Sequence, residues 1–207
     1  MLYIFDKIDL MDDDIPQNLM SLLSNERKMK VDRLRSAQNK KASAIAYILL
    51  RIALFDLYEI DEPVEFDIAA KGKPSLKNHP SIFFNLSHSK NIAVCAVSNY
   101  EIGVDVQQIS PVMDKVAKRV LTEKEYAIFK SSREPDDYFC EVWTIKESFL
   151  KMTGHGLTKE LHEISADSIV DKMIYKGNSY FCSVCGKESR NIKIKHIGRD
   201  EIERNFK

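Results

Sequence analysis

The stretch "SIFFNLSHSKNIAVCAVSNYEIGVDVQQI", residues 81–109, predicts three consecutive β-strands near the middle of the 207-residue chain. Its apolar or alternating segments are SIFFNLS, NIAVCAVSN and EIGVDVQQI, and the short turns HSK and Asn99-Tyr100 separate them. This pattern is typical of an antiparallel meander. Two features interrupt it, a Ser-His-Ser sequence at the first turn and an acid, Asp105, within the third strand.

Helical segments precede the meander, and the same order recurs in the second half of the chain. The first half has SNERKMKVDRLR, with Ser24 as N-cap, and NKKASAIAYILLRIALFDLY. The second half has VMDKVAKRVL, the Thr122-capped EKEYAIFKSS, a helix from Asp136 to Met152, and the strands KMIYKG, SYFCSVCGK and NIKIKHIG. This order predicts an α+β protein of two similar lobes, residues 1–102 and 103–207, with a functional cleft between them.

The composition excludes several classes of protein. The 31 basic and 31 acidic residues cancel, so we expect neither a nucleic acid nor a membrane as partner. The N-terminus MLYIFDKIDLMDDD reaches acids too soon for a secretory signal. The most apolar helix carries Arg51 and Asp56 and is too short in apolar residues to span a bilayer. We therefore expect a soluble, cytoplasmic protein.

The four cysteines do not indicate a disulfide scaffold in a chain of this length. Cys182 and Cys185 form a single CxxC within a segment that also reads as a strand. A zinc site would need a second pair of ligands at matching spacing, which the sequence lacks. We interpret these two cysteines as small buried residues, with a metal site as the alternative.

Cations are concentrated in one segment of this neutral chain. Residues 27–41 contain a single acid and seven cations: Arg27, Lys28, Lys30, Arg33, Arg35, Lys40 and Lys41. A solvated helix face is the ordinary explanation of such a run. A phosphate-binding patch is the alternative, because a neutral protein has no general reason to concentrate cations.

Two turns carry residues that could meet a ligand. In AAKGKPSL, Gly72 and Pro74 fix a turn around Lys73, which could also be an ordinary exposed loop. In FNLSHSKN, Ser87 and His88 lie where one strand turns into the next. They form either a simple polar turn or a phosphate contact, because hydroxyls, amides and imidazolium all donate to phosphate oxygens.

The strand IGVDVQ places Gly103, Asp105 and Gln107 on one face. A buried carboxylate is costly unless it is paired or bound to a cation, so Asp105 is either half of a structural ion pair or a metal ligand. Gly103 would allow a ligand to approach closely.

The helix VWTIKESFLKM aligns Trp143, Glu147 and Lys151 in one row. An ordinary ion pair within the helix, with Glu147 four residues before Lys151, would explain these two residues but not Trp143. If Asp105 and Glu147 face each other across the cleft, however, two carboxylates and the amide oxygen of Gln107 form a site for a hard cation. Mg²⁺ completed by phosphate oxygens suits such a site, so the residues imply a Mg²⁺-dependent enzyme acting on a pyrophosphate.

The Gly-Val-Asp of IGVDVQ followed by the Trp-x-x-Lys-Glu-Ser of WTIKESFLK resembles the 4′-phosphopantetheinyl transferases that activate surfactin synthetase and other carrier proteins. SNERKMKVDRLR, GKP, FNLSHS and YFCSVC follow in the family's order, so the likeness covers nearly the whole chain. The resemblance implies a monomeric pseudo-dimer of two α+β lobes, each with helices on a small antiparallel three-stranded sheet. It also implies transfer of phosphopantetheine from coenzyme A to a serine of an acyl or peptidyl carrier protein.

The resemblance also implies roles for individual residues. Asp105 and Glu147 would bind Mg²⁺ on the coenzyme A pyrophosphate, and Lys151 or Glu147 would help deprotonate the serine. The remaining contacts with coenzyme A would come from Lys146 at the phosphates, Ser87 and His88 at the 3′-phosphate and adenosine end, and the cations Arg27, Lys30 and Lys73.

Two departures from the family pattern leave an alternative open. Gln107 stands where many relatives have a second acid, and its amide can ligate a metal but does not neutralise charge. Lys41 would replace an arginine at the start of the second helix as a point charge.

A non-catalytic module that binds coenzyme A or a carrier is the alternative to a transferase. A metal-dependent phosphohydrolase fits less well, because none of the five histidines is paired. Carriers of fatty-acid, polyketide or nonribosomal-peptide synthesis all remain open.

Overall fold

The computed structural model describes residues 1–11, 20–69, 72–154 and 161–204. In the sequence, Gly-His-Gly at residues 154–156 predicts the turn that ends the long helix, and residues 155 and 156 lie outside the described residues. Among the described residues, none of the helices combines the length and the apolar character that spanning a bilayer requires.

The described residues form a mixed α+β protein. Its helices are α1 (Asn25–Asp32), α2 (Ala37–Tyr58), α3 (Asp114–Val120), α4 (Glu123–Ser131), α5 (Pro135–Thr153) and α6 (Arg199–Arg204). Its strands are β1 (Leu2–Phe5), β2 (Phe66–Ile68), β3 (Pro74–Leu76), β4 (Phe83–Ser89), β5 (Ile92–Ser98), β6 (Ile102–Gln108), β7 (Lys172–Lys176), β8 (Tyr180–Gly186) and β9 (Ile194–His196).

The capping residues explain where the helices start and stop. The Ser24 hydroxyl accepts a hydrogen bond from the backbone N–H of Arg27 at 3.2 Å, which confirms it as the N-cap of α1. Thr122 and Glu125 form a capping box at the start of α4, also as predicted for Thr122. Helix α5 ends at Thr153, and its C-cap is Gly154, whose φ of 66° lies in the left-handed region that favours glycine.

The strands pair differently from the predicted meander. Strands β4 and β5 pair as expected, but β6 leaves them and joins an antiparallel sheet of order β6-β8-β7. The other main sheet has the order β4-β5-β1-β9, and its β1–β9 pair is parallel. The second sheet therefore has three antiparallel strands as predicted, but it contains β6 where β9 was expected. The prediction is wrong for the first sheet, which has four strands and includes β1 and β9 from the two halves of the chain.

The two sheets pack face to face between two layers of helix. Alternate residues of β1 divide the core, because Tyr3 and Phe5 pack with α2 while Leu2 and Ile4 pack toward the second sheet. The apolar face of β6 meets them from the other side. Helix α5 covers the outer face of the second sheet. The apolar face of β6 is turned toward the first sheet, so its polar face, with Gly103, Asp105 and Gln107, contacts α5.

Gly103 allows β6 and α5 to approach each other. A Cβ atom at this position would lie 2.0 Å from the backbone oxygen of Ser148 and 2.4 Å from the backbone nitrogen of Met152. The expectation that Gly103 admits a ligand is therefore corrected, because the space beside it is filled by the helix backbone. This close contact fixes the position of α5 along β6, so that Glu147 and Lys151 lie over the strand.

We predict that Gly103→Ala destabilises the fold by at least about 2 kcal/mol, because neither backbone can move without separating the helix from the sheet. Chemical denaturation measures the loss. Gly198→Ala is the control, since its Cβ would meet only the Glu201 carboxylate, at 3.6 Å. Equal stability of the two variants would contradict this account of the contact.

Candidate active site

Asp105 is the buried centre of a polar cluster where β4, β6 and α5 meet. Its carboxylate belongs to a residue that is only 6% exposed. The Lys151 ammonium donates to Asp105 Oδ1 at 2.5 Å, and the Ser87 hydroxyl donates to the same oxygen at 2.8 Å. Lys151 also donates to the Ser87 oxygen at 3.0 Å. Two residues from the second half of the chain and one from the first half thus form one cluster.

Glu147 lies one helical turn before Lys151 and carries an unpartnered oxygen. Its Oε1 is buried and has no hydrogen-bond partner among the described residues. Burial raises the pKa of Glu147, the Asp105 carboxylate raises it further, and Lys151 opposes both. The structure therefore brings the two predicted acids close enough to repel each other.

This arrangement fits a divalent cation. A buried carboxylate oxygen without a partner next to a second carboxylate is the donor set that a hard cation satisfies. Within the described residues no group of three or more His, Cys, Asp and Glu side chains forms a metal-binding cluster. Asp105 and Glu147 would therefore need oxygen ligands from elsewhere, as Mg²⁺ sites that share a phosphate substrate do.

Gln107 lies two residues further along the same face of β6. Its amide donates to the backbone oxygen of Gln108 at 3.3 Å, and the side chain borders a groove of about 160 Å³. The groove lies between the end of β6 and the first half of α5, and neither Asp105 nor Glu147 lines it. Its apolar wall includes Val112, Val116, Phe139 and Trp143. The Phe139 and Trp143 rings stack with centroids 6.0 Å apart. The row on α5 thus runs from this groove, through Glu147, to Lys151.

His88 is surrounded by cations. Burial, together with the charges of Arg27, Lys151 and Lys30, lowers the pKa of His88 to about 4. Burial and the Arg27 charge also lower the pKa of Lys30. The imidazole is therefore neutral at pH 7 in this structure. An anion placed among these groups would relieve their repulsion, which agrees with the phosphate-patch interpretation of this part of the chain.

Arg27 is held mainly by the protein itself. Its Nη2 donates to the backbone oxygen of Ser43 at 2.6 Å and to the Ser43 hydroxyl at 3.0 Å. Its Nε is buried without a partner among the described residues, and burial lowers the pKa of the guanidinium to about 10. The N–H group of Nε is thus not used by the described residues.

Lys41 and Lys73 take different positions. Lys41 is only 6% exposed, and its ammonium lies 3.4 Å from the backbone oxygen of Met11. Lys73 donates to the backbone oxygen of Met152 at 2.7 Å and also to the carboxylate of Glu101. Lys73 therefore reaches the C-terminal end of α5, one residue after Lys151, whereas Lys41 points into the protein.

Lys146 requires a correction. It is fully buried, and its ammonium donates to the Glu125 carboxylate at 2.6 Å, to the backbone oxygen of Val120 at 2.7 Å and to that of Leu161 at 3.1 Å. All three N–H groups are therefore used inside the protein, and none is left for a phosphate. The phosphate contact that the resemblance implied for Lys146 does not fit this geometry.

Glu125 was missed by the sequence reasoning. Its other contacts are with the backbone N–H groups of Thr122 and Ala166, both at 2.8 Å. Burial alone would raise the pKa of Glu125, but the hydrogen bonds from Lys146 and these two N–H groups hold it below its ordinary value. The Thr-x-x-Glu capping box was visible in the sequence, whereas its link to Lys146 was not.

Comparison with known proteins identifies the family of this chain. The model of the 4′-phosphopantetheinyl transferase superfamily matches residues 101–195, and that of a 4′-phosphopantetheinyl transferase N-terminal region matches residues 13–100. The gsp 4′-phosphopantetheinyl transferase of Aneurinibacillus migulanus is 32% identical over 89% of this chain and 85% of its own length.

The chain belongs to the 4′-phosphopantetheinyl transferase superfamily.

Two further comparisons complete the picture. The 4′-phosphopantetheinyl transferase Sfp of Bacillus subtilis is 31% identical over 72% of this chain and 68% of its own length. Among solved structures, the holo-[acyl-carrier-protein] synthase of Thermotoga maritima overlaps 42% of this chain and 61% of its own, with a TM-score of 0.31 and 18% identity. That overlap is too small to support a conclusion about the fold.

We predict that Lys146→Met lowers stability by about 3–5 kcal/mol, because it leaves the Glu125 carboxylate buried without its cation. Lys124→Met is the matched control, because Lys124 and Asp167 form an exposed ion pair at 3.7 Å and such pairs contribute little. Denaturant titration compares the two variants. A Lys146→Met protein of wild-type stability that fails to bind coenzyme A would restore the phosphate role.

We predict that Glu147→Gln stabilises the metal-free protein at neutral pH. The raised pKa of Glu147 means that the folded chain binds this proton more tightly than the unfolded chain, so the charge costs stability above the ordinary pKa of 4.5. The gain should disappear as the pH falls below 4.5, where Glu147 is protonated in both states.

Denaturation at several pH values, with and without Mg²⁺, measures this effect. With coenzyme A present to supply phosphate oxygens, Mg²⁺ should stabilise the wild type and leave Glu147→Gln unaffected. The exposed Glu134, changed to Gln, is the control. Equal Mg²⁺ stabilisation of wild type and Glu147→Gln would remove Glu147 from the cation site.

Proposed function

We propose that this protein transfers 4′-phosphopantetheine from coenzyme A to a serine of an apo acyl or peptidyl carrier protein. The serine oxygen forms a bond to the phosphorus of the phosphopantetheine, the pyrophosphate P–O bond breaks, and adenosine 3′,5′-bisphosphate leaves. Membership of the superfamily supports the reaction. The observation that carries the proposal is the pair of adjacent acids, Asp105 and Glu147, with one buried carboxylate oxygen unpartnered.

We propose Mg²⁺ as the cofactor of this site. When bound, Mg²⁺ would neutralise charge on the pyrophosphate oxygens. Asp105 and Glu147 would hold it, and Gln107 would ligate it or orient one of its waters. Lys151 donates a hydrogen bond to the Asp105 carboxylate, and its positive charge would help to stabilise the negative charge of the leaving group.

Glu147 is the better candidate for the group that accepts the serine proton. In this arrangement Lys151 donates to Asp105 and Ser87, so it acts as a hydrogen-bond donor. Glu147 has an acceptor oxygen without a partner among the described residues, and burial raises its pKa, so it holds a proton more readily than an ordinary glutamate.

Coenzyme A would lie along the cleft from the cationic patch to the groove. The 3′-phosphate would meet Arg27, Lys30 and His88, with Lys73 nearby at the end of α5. The less polar pantetheine arm suits the groove lined by Phe139 and Trp143. Lys146 is left out of this set because its three N–H groups are used inside the protein, and Lys41 because its ammonium contacts the backbone oxygen of Met11.

We also propose that the chain acts as a pseudo-dimer within one monomer, with lobes of residues 1–102 and 103–207. Each half contributes a long helix, α2 or α5, packed on the outer face of one sheet. Strand β9 is the exception, since it crosses to the sheet of the first half.

A cytoplasmic location is part of the proposal, because all four cysteines are free thiols, as a reducing compartment would keep them.

We predict that the protein adds one phosphopantetheine to an apo carrier in the presence of coenzyme A and Mg²⁺, and that chelation of Mg²⁺ abolishes the addition. Intact mass spectrometry of a panel of carriers measures the gain. Asp105→Ala should lower the transfer rate by at least about 100-fold, because one cation ligand and the partner of Lys151 are lost together. Asp67→Ala, which changes an exposed aspartate of β2, is the control.

Two outcomes would contradict the proposal in different ways. Coenzyme A binding without transfer to any carrier would favour the non-catalytic module, and Gln107 would be its first explanation. Wild-type transfer by Asp105→Ala would remove Asp105 from the reaction.

A further inference from the structure

A ladder of side chains joins the two sheets between β4 and β6. Three polar residues of β4, every second position, accept hydrogen bonds from the backbone N–H groups of every second residue of β6. The pairs are Asn85 with Val104 at 3.1 Å, Ser87 with Val106 at 3.3 Å, and Ser89 with Gln108 at 3.1 Å. These bonds satisfy N–H groups on the edge of β6 that no strand covers.

Ser87 differs from the other two rungs because its hydroxyl reaches the cluster on α5. It accepts from Val106 N–H and from the Lys151 ammonium, and it donates its own hydrogen to Asp105 Oδ1. A serine hydroxyl has one hydrogen and two lone pairs. All three are used within the protein, so the hydroxyl has no free bond for a phosphate.

Ser87 and His88 also point to opposite faces of β4. Neighbouring residues of a strand alternate between faces. Leu86 packs with the core under α2, so His88 lies on that side, near Arg27 of α1. Ser87 faces β6. One phosphate bound beside His88 and Arg27 is therefore not in the position where the Ser87 hydroxyl points.

We infer that Ser87 is a positioning residue that fixes the Asp105 carboxylate and the Lys151 ammonium for the cation site, and is not a side-chain contact to the coenzyme A phosphate. The inference rests on the function proposed above. It assigns to the first half of the chain a direct part in the metal site of the second half.

The physical reason is the orientation of one carboxylate. The bonds that Ser87 and Lys151 donate both end on Oδ1 of Asp105, and this sets the direction in which Oδ2 points. Outer-shell partners that orient a metal-binding carboxylate typically contribute about 10–100-fold to metal affinity. Without Ser87, Asp105 would keep only the flexible Lys151 side chain, which is 30% exposed.

Ser87→Ala and Ser89→Ala form a matched pair for testing this role. Each change removes one rung of the ladder and leaves one β6 N–H without its acceptor, but only Ser87 touches Asp105 and Lys151. Ser87→Cys keeps the volume with a weaker donor, in case Ser87→Ala does not fold. Ser87→Thr keeps the hydroxyl and serves as the rescue variant.

Two binding measurements separate the possible roles of Ser87. Calorimetric titration of Mg²⁺ into the complex with coenzyme A measures the cation site. Titration of adenosine 3′,5′-bisphosphate in a chelator measures the phosphate patch alone. We expect Ser87→Ala and Ser87→Cys to weaken Mg²⁺ binding about tenfold. Ser87→Thr and Ser89→Ala should stay near wild type, and the bisphosphate affinity should be the same for every variant.

Each other result has one meaning. Weaker bisphosphate binding by Ser87→Ala with unchanged Mg²⁺ affinity would overturn the inference and make the hydroxyl a phosphate contact. Equal losses of Mg²⁺ affinity in Ser87→Ala and Ser89→Ala would overturn it by reducing Ser87 to a rung of the ladder. A wild type that binds Mg²⁺ but transfers nothing to any carrier would contradict the proposed function alone, because the Mg²⁺ comparison does not depend on turnover.

Discussion

The pairing of the Asp105 carboxylate with the Lys151 ammonium is the interaction on which the rest of the site depends. A carboxylate that is 6% exposed is costly unless charge and hydrogen bonds compensate it. The acid lies on β6, and its compensation comes from two other elements, because α5 supplies the Lys151 ammonium and β4 supplies the Ser87 hydroxyl. Such a pair adds little net stability, but it fixes where the three elements meet.

The layered fold delivers these groups to one place. Helix α5 approaches β6 closely because Gly103 has no side chain, and this puts Glu147 beside Asp105. Elsewhere in the same half, the buried Lys146–Glu125 pair ties α5 to the start of α4 and to the segment around Leu161. The lysine of the Lys-Glu-Ser motif thus holds three segments of the second half together, while the glutamate that follows it lies beside Asp105.

The sequence predicted best what depends on local periodicity. Helical spacing placed Glu147 and Lys151 in one row, strand alternation placed Asp105 on the polar face of β6, and the caps at Ser24 and Thr122 were recognisable. Contacts between distant segments were not predictable in the same way. The parallel pairing of β1 with β9 joins the two ends of the chain, and the partner of Lys146 lies 21 residues away. The resemblance therefore implied a phosphate contact for Lys146, although its side chain points into the protein.

The central claim is that Asp105 and Glu147 bind one divalent cation together with coenzyme A. Anomalous diffraction from crystals grown with coenzyme A and Mn²⁺ tests it most directly, because Mn²⁺ replaces Mg²⁺ at oxygen sites and can be located by its scattering. The account predicts one strong peak about 2.1 Å from oxygens of both Asp105 and Glu147. A crystal with coenzyme A in the cleft and no peak between these two carboxylates would contradict it.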